Sequence, residues 1–185
     1  MKNPIRSRGT SLIEVLVALV VVSVGLLGIG KMQALAIEST RTSSVRSLIA
    51  VEAASIASAI HANEAYWQSV SVPFNANITV TSSGSPATPT AAISSSDGTM
   101  AGQTTNCVTS VCTASQMAAY DLLQWAQGLW YLTPTVTSSA QVIQCNGSPV
   151  VCTVQVNWTE STIGISGEYS SNATPSQQYV LVVQP

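Results

Sequence analysis

The chain has 185 residues, enough for one globular domain and one additional element. Apolar residues make up 46% of it and charged residues only 8%, against the ~25% charged of ordinary soluble proteins. A net charge of −2 excludes the basic footprint that nucleic-acid binding needs, so no nucleic-acid partner is expected. His61 is the single histidine, and no H-E-x-x-H, C-x-x-C, G-x-x-x-x-G-K-S/T or G-x-S-x-G pattern occurs. The expectation is a protein without catalytic residues, metal or cofactor.

The chain opens polar and basic, with Lys2, Arg6 and Arg8 supplying three of its six basic residues. From Leu12 to Gly30 it is apolar except for Glu14 and Ser23. As a helix that run spans ~28 Å, one bilayer core. Basic residues before it place the N-terminus on the cytoplasmic side and the rest in the periplasm. Two simpler readings compete. One is a cleaved signal peptide with Ala34-Leu35-Ala36 as its site, although the apolar run exceeds the usual length and Lys31 intervenes. The other is a plain membrane anchor. Neither accounts for Glu14, because a carboxylate in an apolar span costs roughly 2.5–3.5 kcal/mol and calls for a partner.

Arg8-Gly9 followed by Thr10-Ser11-Leu12-Ile13-Glu14-Val15-Leu16 resembles the class III prepilin signal of type IV pilins. The resemblance covers about the first thirty residues and departs from the usual pattern at Thr10, where the family generally has phenylalanine. It implies cleavage between Gly9 and Thr10 by a prepilin peptidase and N-methylation of Thr10. It also gives Glu14 a role in assembly. The physics agrees. Cleavage creates an amine one helical turn from Glu14, and a neighbouring subunit's amine meeting this carboxylate in hydrocarbon would neutralise both charges. Gly25, Gly28 and Gly30 allow close helix approach, as does ordinary transmembrane tolerance of glycine.

Beyond Lys31 the pattern turns amphipathic. Val45, Ile49, Ile56, Ile60 and Trp67 follow helical spacing, Glu38 and Arg41 form an i,i+3 pair, and no proline interrupts residues 10–72. One helix from about Ser11 to about Ser69 is predicted. Glu52 falls at the edge of its apolar stripe, and His61, Glu64 and Tyr66 near its end read as solvated residues. Asn77–Thr81 alternates like a short strand. The following SSGSPATPTAAISSSDGT, with Pro86, Pro89 and Asp97-Gly98, reads as loop. Residues 114–132 form a second helix carrying two adjacent apolar stripes, Ala118/Leu122/Trp125/Leu129 and Ala119/Leu123/Ala126/Trp130. Three strands follow, at 140–146, 150–160 and 177–184.

The four cysteines fall into two short pairs, Cys107/Cys112 and Cys145/Cys152, which in an exported chain read as two disulfides. Their spacing suits zinc poorly. If Cys145 faces Cys152 in a hairpin, Ile143 faces Val154 and Gln144 faces Thr153, so both faces of the hairpin stay consistent. The N-x-S/T sequons starting at Asn77, Asn146, Asn157 and Asn172 are attributed to chance in so Ser/Thr-rich a chain.

Ser23-Val24-Gly25-Leu26-Leu27-Gly28 with Met32-Gln33, Tyr120–Trp125 with Leu129 and Leu132, and Val154-Gln155-Val156-Asn157-Trp158 together resemble the V-type minor pilins, the PilV-like modification proteins. The pattern departs at Leu132-Thr133-Pro134, where that family has Leu-Pro and then glycine. The resemblance implies an α+β type IV pilin fold, a long N-terminal helix packed on an antiparallel β-sheet. It divides the chain into a leader (1–9), a membrane and assembly half-helix (10–31), an amphipathic half-helix (32–69) and a periplasmic domain (70–185). The implied role is a minor pilin that primes a type IV pilus at or near its tip. The implied partners are the prepilin peptidase, other minor pilins, the major pilin and the inner membrane, and a tip adhesin is compatible with that position. The alternatives carried are a minor pseudopilin of a type II secretion system, a membrane-tethered adhesin and an anchored periplasmic enzyme.

Overall fold

The computed structural model describes residues 11–84, 86–133, 136, 140–160 and 176–185. The chain divides into two units, residues 1–41 and 42–185. Helix α1 (Leu12–Ala62) is 51 residues long. Then come α2 (Glu64–Ser69), β1 (Phe74–Ser83), β2 (Thr88–Ser95), α3 (Ala114–Leu132), β3 (Gln141–Asn146), β4 (Val151–Thr159) and β5 (Ser176–Val183). The architecture is the α+β, type IV pilin-like one: a long N-terminal helix and a five-stranded antiparallel sheet.

In the second unit α1 buries Ile49, Ala53, Ile56 and Ile60, with Val45 half-buried against the same core. Each fully buried isoleucine contributes about 1.5–3 kcal/mol, a large share of a typical 5–15 kcal/mol stability. The predicted single helix to Ser69 is corrected: it breaks at Asn63, whose backbone sits at φ −118°, ψ 41°. The Asn63 side chain donates from Nδ2 to the Ala114 carbonyl at 2.7 Å. Asparagine readily trades helical geometry for such a bond. The break re-aims α2 so that Tyr66 and Trp67 enter the core, Trp67 meeting Tyr66 and Phe74 edge to face at centroid distances of 5.3 and 6.0 Å. Tyr66 is therefore buried and not a solvated residue, while His61 and Glu64 are exposed.

The strand order is β2-β1-β3-β4-β5. The strand expected at residues 77–81 extends over Phe74–Ser83, and part of the stretch expected as loop is β2. Pro89 sits opposite Ser82 in that strand. It is tolerated because β2 is an edge strand, with no further neighbour to receive the missing N–H. In the β3–β4 hairpin Cys145 pairs with Cys152, Gln144 with Thr153 and Ile143 with Val154, the register expected. Gly147 in its turn has φ +86°, a conformation that favours glycine. Gln141, fully buried, accepts from the Asn157 N–H at 2.7 Å and donates to the Asn157 carbonyl at 2.9 Å, so its carboxamide acts like one more peptide unit of the ladder.

Helix α3 occupies the predicted residues and starts with a capping box. Thr113 Oγ1 accepts from the Gln116 N–H, and Gln116 Oε1 accepts from the Thr113 N–H. Both predicted stripes are covered, with Leu123 and Trp130 half-buried and the other six residues buried. Trp125 Nε1 donates to the Glu52 carbonyl at 2.9 Å, tying α3 to α1. Trp130 Nε1 is buried with no partner among the described residues, a local cost.

Candidate functional site

In the first unit, α1 carries the features that demand a functional account. Its most apolar 18-residue window has mean hydropathy 2.8 and no residue buried within the chain. Leu12, Leu19, Leu26 and Leu27 are each more than 60% exposed. So contiguous an apolar surface has no place in water; it calls for lipid or for other helices. Ser23 turns its hydroxyl back onto the Val20 carbonyl at 2.8 Å, and Thr40 onto Ala36 at 2.9 Å, so neither presents an unsatisfied polar group. A Cβ added at Gly25, Gly28 or Gly30 would meet nothing within 4 Å. The protein's own fold therefore does not require these glycines.

Glu14 lies in the first turn of α1, where the Ser11 carbonyl accepts from the Glu14 and Val15 N–H groups. It is exposed and has no ion-pair partner among the described residues. A carboxylate there gains a little from the helix dipole, about 0.3–1 kcal/mol. That is well below its cost in hydrocarbon. The other two residues expected to act at this end, Gly9 and Thr10, lie outside the described residues.

Among the described residues of the second unit the charged groups are few, and most are used internally. Arg46 and Glu160, 114 residues apart in sequence, form a two-pronged ion pair at 2.9 and 2.7 Å. No Glu38–Arg41 pair forms among the described residues. The hydrogen-bonded Arg46 guanidinium holds the Glu160 carboxyl below the usual range against partial burial, helped by Trp158 Nε1 at 3.1 Å. Around Asp97, burial pushes the carboxyl up. Hydrogen bonds from Ser95 and from the Thr99 N–H and hydroxyl outweigh it and leave the group below its ordinary value. Tyr66 in turn donates to Thr99 Oγ1 at 3.0 Å, and burial raises its phenol. Asp121 is raised by desolvation.

A pH dependence follows. Glu160 and Asp97 have depressed folded values, so their stabilisation is present above the unfolded carboxylate range near ~4 and is lost as pH falls through their folded values. Asp121 has a raised folded value, so its contribution has the opposite sign: its charged form penalises the fold at neutral pH, and acidification relieves it. Thermal melts of Glu160→Gln should therefore show a shallower loss of Tm below pH 5 than the parent. Asp121→Asn should raise Tm at pH 7 and leave it unchanged at the acid end.

Comparison with known proteins bears on the N-terminal segment. Residues 5–30 match the family model described as the prokaryotic N-terminal methylation motif. No curated protein and no solved structure matches the chain. The methylation motif supports the type IV pilin and pseudopilin superfamily, and it marks structural, pilin-type proteins. It implies processing by a prepilin peptidase and assembly into a pilus or pseudopilus. Together with the apolar first half of α1 it fits a single-pass inner-membrane anchor.

The two disulfides, Cys107–Cys112 and Cys145–Cys152, are formed. The second is fully buried between β3 and β4, whereas the first closes a surface loop with Val108 and Val111 exposed. Neither the Arg46–Glu160 pair nor the Asp97 network is expected from the sequence. No local pattern signals an arginine meeting a glutamate so far along the chain. Ser95, Asp97 and Thr99 did carry a signal, as short polar residues around Asp97-Gly98 favour side-chain to backbone turns.

Proposed function

We propose that the chain is a minor pilin of the V type. It is cut after Gly9, methylated at Thr10, held in the inner membrane by residues 10–31, and built into a type IV pilus at or near its tip. The amphipathic segment 32–69 and the domain 70–185 then lie on the periplasmic side and later at the cell surface. Its partners are the prepilin peptidase, the other minor pilins and the major pilin. The observation that supports a pilin-type subunit is the methylation motif set on an apolar helix with an exposed carboxylate in its first turn, and the V-type assignment rests on the sequence resemblance alone. Catalysis belongs to the partners, and this chain works through contacts.

A minor pseudopilin of a type II secretion system shares the leader, the helix and the assembly chemistry, and the motif favours neither. Deletion separates them. The pilus reading expects fewer surface fibres and lost twitching, with enzyme secretion unchanged. Quantitative mass spectrometry of sheared fibres should find the chain far below the major subunit. A fibre made mostly of this chain contradicts the minor role. Normal fibres with failed secretion assign the chain to the secretion system.

A further inference from the structure

Within the second unit, α1 and α3 leave a groove of about 250 Å³ between them. Ile56 and Ala59 from α1 and Trp125 and Gly128 from α3 form its apolar walls. Glu52 from α1 and Asp121 from α3 are among its lining residues, one acidic residue from each helix, and none of the lining residues is basic. The Asp121 carboxylate makes no hydrogen bond or ion pair with a described residue, although it is partly buried. The Glu52 carboxylate has, among the described residues, only a long contact from Ser55 Oγ at 3.4 Å, a hydroxyl that lies closer, at 2.8 Å, to the Glu52 carbonyl.

Among the described residues of this unit, Asp121 is the partly buried carboxylate without a hydrogen bond or an ion pair. Arg46 and Glu160 neutralise one another, Asp97 is held by Ser95 and Thr99, and Glu64 accepts from Gln68 at 2.7 Å. A half-buried carboxylate without a partner is unfavourable, and a cation brought to it is favoured on both counts. The apolar walls suit the methylene stem of a long basic side chain, with its head between the two carboxylates. Two carboxylates on separate helices are too few ligands for a dedicated metal cage.

We propose that this groove is a docking socket for a lysine or arginine side chain of a neighbouring pilin subunit. The inference rests on the fibre-subunit reading and adds the chemistry of one contact. In a chain so poor in charge, one such contact selects partner and register, because a neighbour lacking the basic residue leaves both carboxylates unpaired.

The test is photo-crosslinking in cells with the full-length chain. One photoreactive residue replaces Gln124 at the groove, and another, separately, replaces Val22 in the apolar helix. The Gln124 probe should capture a peptide of another pilin subunit within a few residues of a lysine or arginine. Glu52→Gln with Asp121→Asn should cut that yield about tenfold and leave the Val22 yield unchanged. Reversing the partner's basic residue to glutamate should lower the yield, and Asp121→Lys beside it should restore it. Equal yield in the neutralised variant, or capture of a segment without a basic residue, overturns the socket. Val22 crosslinks without Gln124 crosslinks overturn the socket alone, and loss of both overturns the fibre reading. Melts of the neutralised variant should match or exceed the parent's Tm, which excludes misfolding as the cause.

Discussion

Replacing Glu14 with alanine should cut incorporation into fibres by tenfold or more while leaving folding and membrane insertion intact. Leu12 to Gly30 is apolar apart from Glu14 and Ser23 and is exposed along the chain, which fits a place in lipid or among other helices. A carboxylate there costs roughly 2.5–3.5 kcal/mol on insertion scales. Glu14 has no ion-pair partner among the described residues, and the helix dipole offsets only a small part of that cost. An amine at a neighbour's Thr10 would offset it, in a medium where the attraction is much stronger than in water. Glu14→Ala removes the cost, so insertion should be equal or better. It also removes the attraction, so assembly should fail. Glu14→Gln separates the charge from any role in starting the helix, since the amide keeps the hydrogen-bonding shape. Both variants should insert, show the parent's helix content and be missing from sheared fibres. Normal co-purification of Glu14→Gln with partner subunits would remove the ion pair from the account.

The second large effect concerns the hairpin. Replacing both Cys145 and Cys152 with alanine should destabilise the domain by about 3–5 kcal/mol. Closing so short a loop restricts the unfolded chain by about 2.5 kcal/mol. Both cysteines are also fully buried at the centre of the sheet, where β1 and β5 flank the pair, so truncation adds a packing loss. Alanine at Cys107 and Cys112 should cost less, about 2 kcal/mol, because that loop lies at the surface. Denaturant unfolding of the two double variants measures the difference directly. Equal losses would mean that the buried position adds nothing.

What could be read from the sequence follows the range of the interaction that decides each element. Helix α3 and the β3–β4 hairpin were legible because several local signals agree. Two apolar stripes mark one; cysteine spacing, alternation and a turn-forming Asn146-Gly147-Ser148-Pro149 mark the other. Strand β2 was not legible. Its Thr, Ala and Ser residues have little pattern of their own, and it exists by pairing with β1 along the sheet's edge. The break at Asn63 was missed because its partner, the Ala114 carbonyl, is 51 residues away. The Arg46–Glu160 pair was missed for the same reason. At the candidate site the order is reversed. The motif at residues 5–30 is local and therefore readable, while the groove between Glu52 and Asp121 appears only once α1 and α3 are side by side.

The central claim is that this chain is a processed fibre subunit, and the mature N-terminus tests it most directly. Intact-mass and N-terminal peptide mass spectrometry of the membrane-extracted protein should find Thr10 as the first residue, carrying one methyl group on its amine. A mature chain starting at Ile37 would establish an ordinary signal peptide. One retaining Met1–Gly9 would establish a plain anchor, and either result contradicts the account.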